Sequence, residues 1–336
     1  MNKIAKTVLM TGTALCAAGV VLSTAGYFAG GKDFTYTSDH MYVSGGNSSS
    51  RKNLTVMKKE QIDDFTKLNV DFENFDLDIR TSDDDHYYME YKLEKNGRKN
   101  PLTWKDKNGE LTLEESAGGS GSYYITYDLG IFSTHADLTE KKDALNTVIL
   151  YIPEKAQLSE AELQLSDGDL TADQLLCKEM TLELLNGDLM LDKGEFEKFD
   201  AKLSDGDLNV KELQCTDNMQ LKSGNGDVTI KKAELADGQI ALSDGDLQID
   251  NGSFNGDMKI NSSCGDVSVE MKNGSVEKTN IYLKAADGDV DTEGLSRGKS
   301  DNEEDTSVYE NKAGASAPTL NVKCSDGDLT LTESEK

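Results

Sequence analysis

The sequence predicts an all-β fold. It is a single-stranded β-solenoid (β-helix) of coils about 19–20 residues long, preceded by an N-terminal transmembrane helix. Three observations predict it. A Gly-Asp pair recurs at Gly168, Gly187, Gly206, Gly226, Gly245, Gly265, Gly288 and Gly327, in steps of 19, 19, 20, 19, 20, 23 and 39 residues. The segments flanking each glycine alternate apolar and polar residues, the signature of strands with one buried face. No proline lies between Pro153 and Pro318, so nothing there removes a ladder donor.

Each repeat reads as strand, corner, strand and return. Before the glycines the inward positions are Met180, Leu182 and Leu184, then Phe199, Ala201 and Leu203, then Met219, Leu221 and Ser223. After them come Leu189 and Leu191, Leu208 and Val210, Val228 and Ile230. The corner Ser-Asp-Gly-Asp supplies a glycine free of Cβ and aspartates able to hydrogen-bond a turning backbone. A bulky residue nine positions on (Cys177, Phe196, Cys215, Leu235, Phe254) marks the return. One such unit cannot close a core alone, so units must stack.

Residues 1–32 carry Lys3 and Lys6 followed by an uncharged stretch from Thr7 to Gly31. A helix of about 20 apolar residues spans a bilayer, and the basic end orients it toward the cytoplasm. The main domain is then exported, on a single-pass anchor in the cell membrane. Cleavage after Ser23-Thr24-Ala25 as a signal peptide, or lipoprotein processing at Cys16, are the alternatives. Residues 33–64 read as a polar linker, 65–160 as irregular first coils or a β cap, and 161–332 as the solenoid. The acidic stretch 291–317 reads as a mobile inserted loop.

A strand ending in Tyr151-Ile152-Pro153, then Leu163-Gln164-Leu165-Ser166-Asp167-Gly168-Asp169-Leu170, then repeated Gly-Asp units behind an apolar N-terminus, resembles the bacterial putative-adhesin family of β-strand-repeat proteins. The resemblance spans roughly residues 65–332. That family is a domain of unknown function, with some members associated with envelope-stress systems. The resemblance implies an envelope location and a non-catalytic role, and it transfers no binding residues.

A formal net charge of −27 excludes nucleic acid as a partner and favours cationic ones. The sharpest candidates are the corner aspartates Asp169, Asp188, Asp207, Asp227, Asp246, Asp266 and Asp289, stacked ~4.8 Å apart along one edge. Asp167, Asn186, Asp205, Asn225, Asp244 and Asp287 form a second file. Two readings of the edge stand: calcium held between neighbouring corners, or carboxylates capping their own turn amides.

Cys177 and Cys215 fall two coils apart, ~9.6 Å by strand spacing and beyond disulfide reach. They read as core residues, Cys324 as inward-facing and Cys264 as a corner residue. Histidines His40, His86 and His135 join no catalytic or metal-binding pattern. The tyrosines Tyr87, Tyr88, Tyr91, Tyr123, Tyr124 and Tyr127 read as sheet-face or core residues, or as a contact surface. The chain is thus expected to be no enzyme and to need no cofactor, with calcium at the corner aspartates as the one candidate ligand. It is read as a membrane-anchored extracytoplasmic binding or scaffolding surface for an envelope protein, a cell-wall polymer or a cationic peptide. The alternatives are a polysaccharide-active β-helix enzyme and a purely structural stalk.

Overall fold

The computed structural model describes residues 34–36, 41–43, 54–117, 145–292, 295, 298–303 and 306–335. The chain divides into two units. In the unit comprising Met1–Leu54 and Gly118–Lys141, the strands Phe34–Tyr36 and Met41–Val43 pair antiparallel. The expected anchor at 1–32, together with His40, Tyr123, Tyr124, Tyr127 and His135, lies outside the described residues. Among the described residues no helix is long and apolar enough to cross a membrane.

The unit formed by Thr55–Ala117 and Lys142–Lys336 holds the repeats. Its strands pair in parallel, coil upon coil, one repeat out of step in sequence: Leu189 lies opposite Leu170 and Leu208 opposite Leu189. Inward side chains are buried almost without exception, as the alternation predicts, and form one continuous apolar core. The return position is no simple corner. Residues 174–177, 193–196, 213–215, 233–235 and 252–254 form a third ladder, and the strand Leu170–Asn186 runs unbroken through it. Leu175 and Leu213 add inward positions beside Cys177 and Cys215, so that side of the coil is as apolar as the others.

Glycine at the corners is demanded by packing. A Cβ on Gly187 would sit 2.2 Å from the carbonyl oxygen of Gly168, and one on Gly206 would sit 2.1 Å from that of Gly187. The same clash recurs at all eight Gly-Asp corners. Positive φ occurs at Gly206, Gly226, Gly245, Gly265, Gly288 and Gly327 but not at Gly168 or Gly187, so close approach is the shared requirement.

Spatial order departs from chain order at both ends. The sheet face preceding the corners runs Glu110–Glu115, Lys67–Phe72, Leu158–Leu165, then the 177–186, 196–205, 215–225 and 237–244 segments, then Asp257–Cys264, Thr319–Asp326 and Asn280–Asp287. Sequence spacing makes the Gly288 coil the neighbour of the Gly265 coil; instead the Gly327 coil inserts between them. The 39-residue step is therefore not two successive coils. It contains the strands Lys299–Glu303 and Thr306–Asn311, which pair antiparallel and cover the outer edge of Asn280–Asp287. The stretch expected as a loop over 291–317 supplies this cap, because Ser307, Tyr309 and Asn311 alternate inward. At the other end Leu102–Lys107 pairs antiparallel with Glu110–Glu115, and Tyr87–Glu94 with Thr147–Pro153. Antiparallel cover replaces open parallel edges with strands rich in charged residues, Leu102–Lys107 and Lys299–Glu303, which blunts edge-to-edge pairing. The strand Leu54–Ile62 also stands where the sequence suggested linker.

Candidate functional site

The stacked corners place one aspartate of each coil directly over the next. Asp169 Oδ1 accepts the backbone N–H of Asp188 at 2.9 Å, and Asp188 Oδ1 accepts that of Asp207 at 2.9 Å. Asp207 serves Asp227 at 2.8 Å, Asp227 serves Asp246 at 2.9 Å, and Asp246 serves Asp266 at 2.8 Å. The file continues through Asp328, which bonds to Asp266 and in turn accepts from Asp289, both at 2.8 Å. All seven aspartates singled out in the sequence thus join one ladder. Every carboxylate but that of Asp289, which ends the file, caps the amide of the neighbouring coil, not an amide of its own turn: strand spacing sets the next corner's N–H directly over Oδ1.

Two members were missed. Asp328 lies between Asp266 and Asp289 because of the inserted coil, which linear spacing does not show. Asp76 starts the ladder, with its Oδ1 accepting the Asp169 N–H at 3.0 Å. Its signal was present: Phe75-Asp76-Leu77 mirrors Gly168-Asp169-Leu170, with Phe75 in the glycine's place. Phe75 is tolerated because its ring turns into the core. Burial, then the nearby Asp169 charge, raises the Asp76 carboxyl above the usual range, against the bond from Asp169.

The second file alternates charge. Asn186 Nδ2 donates to Asp167 Oδ1 at 2.7 Å, and Asn225 Nδ2 to Asp205 Oδ1 at 2.6 Å. An amide between carboxylates relieves like-charge contact. Beyond Asp244 this file meets the exposed Cys264 and then Asp326. Cys177, Cys215 and Cys324 are buried free thiols, and burial pushes Cys177 up to about 12. Among the described residues no group of three or more His, Cys, Asp or Glu side chains is placed to hold a metal ion.

Before the first corner, Glu115 takes over the capping role. Its Oε2 accepts the N–H groups of Glu73 at 2.9 Å and Asn74 at 2.6 Å, while Arg98 Nη1 donates to Oε1 at 2.8 Å. The tyrosines divide. Tyr87 is buried, and Tyr91 packs half-buried against the core. The Tyr88 hydroxyl donates to Asp84 at 2.7 Å. Lys59 Nζ lies 3.8 Å from the Tyr151 ring centroid and 4.9 Å from that of Tyr88.

Fold and edge together define a class: an all-β stack of parallel coils, closed by glycine contacts and pinned by an aspartate ladder. The chain belongs to the Toastrack DUF4097 family, which matches residues 65–332, the span over which the sequence resemblance was drawn. Among solved structures it is similar to a protein described as a putative adhesin from Parabacteroides merdae, with 16% identity, 84% of this chain and 97% of that chain covered, and a TM-score of 0.48. A second so described, from Bacteroides fragilis, shares 12% identity over 84% of this chain and 98% of its own, with a TM-score of 0.43. One described as a putative lipid binding protein, from Parabacteroides distasonis, shares 10% identity over 84% and 97%, with a TM-score of 0.42. No curated protein matches the chain.

Proposed function

We propose that this chain is a non-enzymatic, membrane-anchored surface of the bacterial cell envelope. Its coil stack stands on the extracytoplasmic side, and its aspartate edge binds cationic partners: a basic patch on an envelope protein or a cationic peptide. The observation that carries this reading is the ladder. Backbone bonds fix one oxygen of the carboxylates of Asp169, Asp188, Asp207, Asp227, Asp246, Asp266 and Asp328, and among the described residues no protein donor bonds the other oxygen of these seven. The result is a preorganised row of acceptors at ~4.8 Å intervals, on a chain whose net charge of −27 steers cations toward it. Preorganisation reduces the ordering cost of binding.

The test is fluorescence anisotropy of a labelled lysine-rich peptide titrated with the full chain in detergent. Binding at low salt that weakens steeply with added salt is expected. It should weaken further in an Asp205→Asn, Asp244→Asn, Asp326→Asn variant, which leaves the backbone ladder intact. Absence of binding at low salt refutes the partner class. Protease treatment of intact cells addresses the location: the coil stack should be digested from outside, and survival of that domain alongside a digested surface control refutes the placement.

A further inference from the structure

The outward face of the strands preceding the corners sorts its unpaired charges by sign. Ten parallel strands carry two adjacent outward columns. One reads, in spatial order, Glu114, Asp71, Gln164, Glu183, Lys202, Lys222, Ala241, Asn261, Lys323, Lys284. The other reads Thr112, Asn69, Glu162, Thr181, Asp200, Gln220, Gln239, Lys259, Asn321, Tyr282. Lys202 is already bonded to Glu183. The remaining charges in these columns make no ion pair among the described residues. They are Glu114, Asp71, Glu162 and Asp200 on the first five strands, and Lys222, Lys259, Lys323 and Lys284 on the last five. In a chain of net charge −27 the lysine half stands out, and it carries no carboxylate in either column.

We propose that this face pairs with the same face of a second copy across a two-fold axis. The axis lies parallel to the strands, between the 196–205 and 215–225 segments. Such an axis exchanges the first strand with the tenth, the second with the ninth and the third with the eighth. Glu114 then meets the partner's Lys284, Asp71 the partner's Lys323, and Glu162 the partner's Lys259; the partner's Lys222 lies diagonal to Asp200 and opposite Lys202, whose charge Glu183 already neutralises. Gln164 meets the partner's Asn261 and Asn69 the partner's Asn321, amide on amide. Each contact occurs twice, as an isologous interface requires.

A third column, nearer the return corner, is less favourable. There Glu160 faces the partner's Asp257 and Glu179 the partner's Asp237, but Lys67 and Lys198 already neutralise the two glutamates. Ten strands at ~4.8 Å and a width of about five residues at ~3.3 Å give a face of roughly 700 Å², close to the ~800 Å² per partner of a standard stable interface. This pairing uses a different side of the coil from the aspartate edge and stands without it.

Two charge-reversed variants of the full chain test it by sedimentation velocity in detergent: Asp71→Lys with Glu162→Lys, and Lys259→Glu with Lys323→Glu. The wild type should dimerise. Each variant alone places like charges opposite one another in both halves and should dimerise at least about a hundredfold more weakly. Mixed in equal amounts the two should form heterodimers, because each then presents the complement of the other. A monomeric wild type, a variant that dimerises like the wild type, or a mixture that stays monomeric overturns the pairing. So does a monomeric wild type that retains polyphosphate on its lysine half, which assigns that half to a polyanion. Should either variant lose its β circular dichroism, Gln164→Cys with Asn261→Cys in a Cys264→Ser background replaces it. Oxidation should yield a covalent dimer, and its absence overturns the proposal.

Discussion

Asp207 Oδ1 accepts the backbone N–H of Asp227 at 2.8 Å, twenty residues later in sequence and one coil further along the stack. This contact keeps a column of like charges compatible with a folded edge, since each carboxylate satisfies an amide that the turn leaves outside the strand ladders. Asp207→Ala should lower the unfolding free energy by about 1–2 kcal/mol, the cost of a lost charge-assisted bond at a partly wet site. Asp207→Asn keeps the acceptor oxygen and removes one charge from the file, so its loss should be under about half of that. Urea denaturation of both variants checks the ordering; equal losses would mean that charge, not the accepted bond, sets the effect.

The corner glycines make a steeper prediction. A Cβ at Gly226 would lie 2.2 Å from the Gly206 carbonyl oxygen, on a residue with φ of 125°. Neither the backbone stack nor the ladder it carries can yield without parting two coils. Gly226→Ala should cost more than about 3 kcal/mol. Gly97 also has positive φ, 81°, but nothing lies within 4 Å of its Cβ position. Gly97→Ala should cost only about 1–2 kcal/mol of left-handed strain. Thermal melts of the two variants separate close packing from backbone strain as the reason for glycine.

Much of this architecture was legible because period and alternation are local properties. Leu182, Leu203 and Leu221 announce their burial two residues at a time, and eight corners repeat Gly-Asp. What the sequence hid was order in space. Gly327 stacks on Gly265, and Gly288 stacks on Gly327. The signal distinguishing that order from simple succession lies in a cap strand, Thr306–Asn311, whose alternation is brief and set among acidic residues. The direction of the aspartate bonds was hidden for a related reason: own-turn and next-coil amides look alike in one dimension. Asp76 escaped because Phe75 interrupts the glycine pattern while leaving the carboxylate in register.

Asp106 gives a pH dependence. Its Oδ2 is buried without a hydrogen-bond partner. Burial, then the charge of Asp63, raises its carboxyl above the ordinary range. The folded protein therefore holds a proton there more tightly than the unfolded chain, so ionised Asp106 costs stability at neutral pH. That cost disappears as pH falls through the raised value. Asp106→Asn should be more stable than the wild type at pH 7, by less than about 1 kcal/mol given the partial exposure, and indistinguishable from it near pH 3. Paired urea titrations across that range measure the difference; a gain that persists unchanged into acid would remove the ionisation account.

The buried ion pair at the first corner should behave as a unit. Arg98 and Glu115 are 8% and 2% exposed, and Glu115 also caps the amides of Glu73 and Asn74. Arg98 further donates to the Ser116 carbonyl at 2.7 Å and lies 5.4 Å from the Phe75 ring centroid. Removing either partner strands the other's charge away from water, which costs about 3–5 kcal/mol. Glu115→Ala should be the worse of the two, since it also orphans two backbone donors that no aspartate of the ladder reaches. The double variant should cost less than the two single losses added together, by at least about 1 kcal/mol, because neither charge then remains unpaired. A double-mutant cycle by chemical denaturation reads this coupling. Strict additivity would show that Glu115 acts on the corner through its amide bonds alone, with Arg98 only a bystander on the Phe75 face.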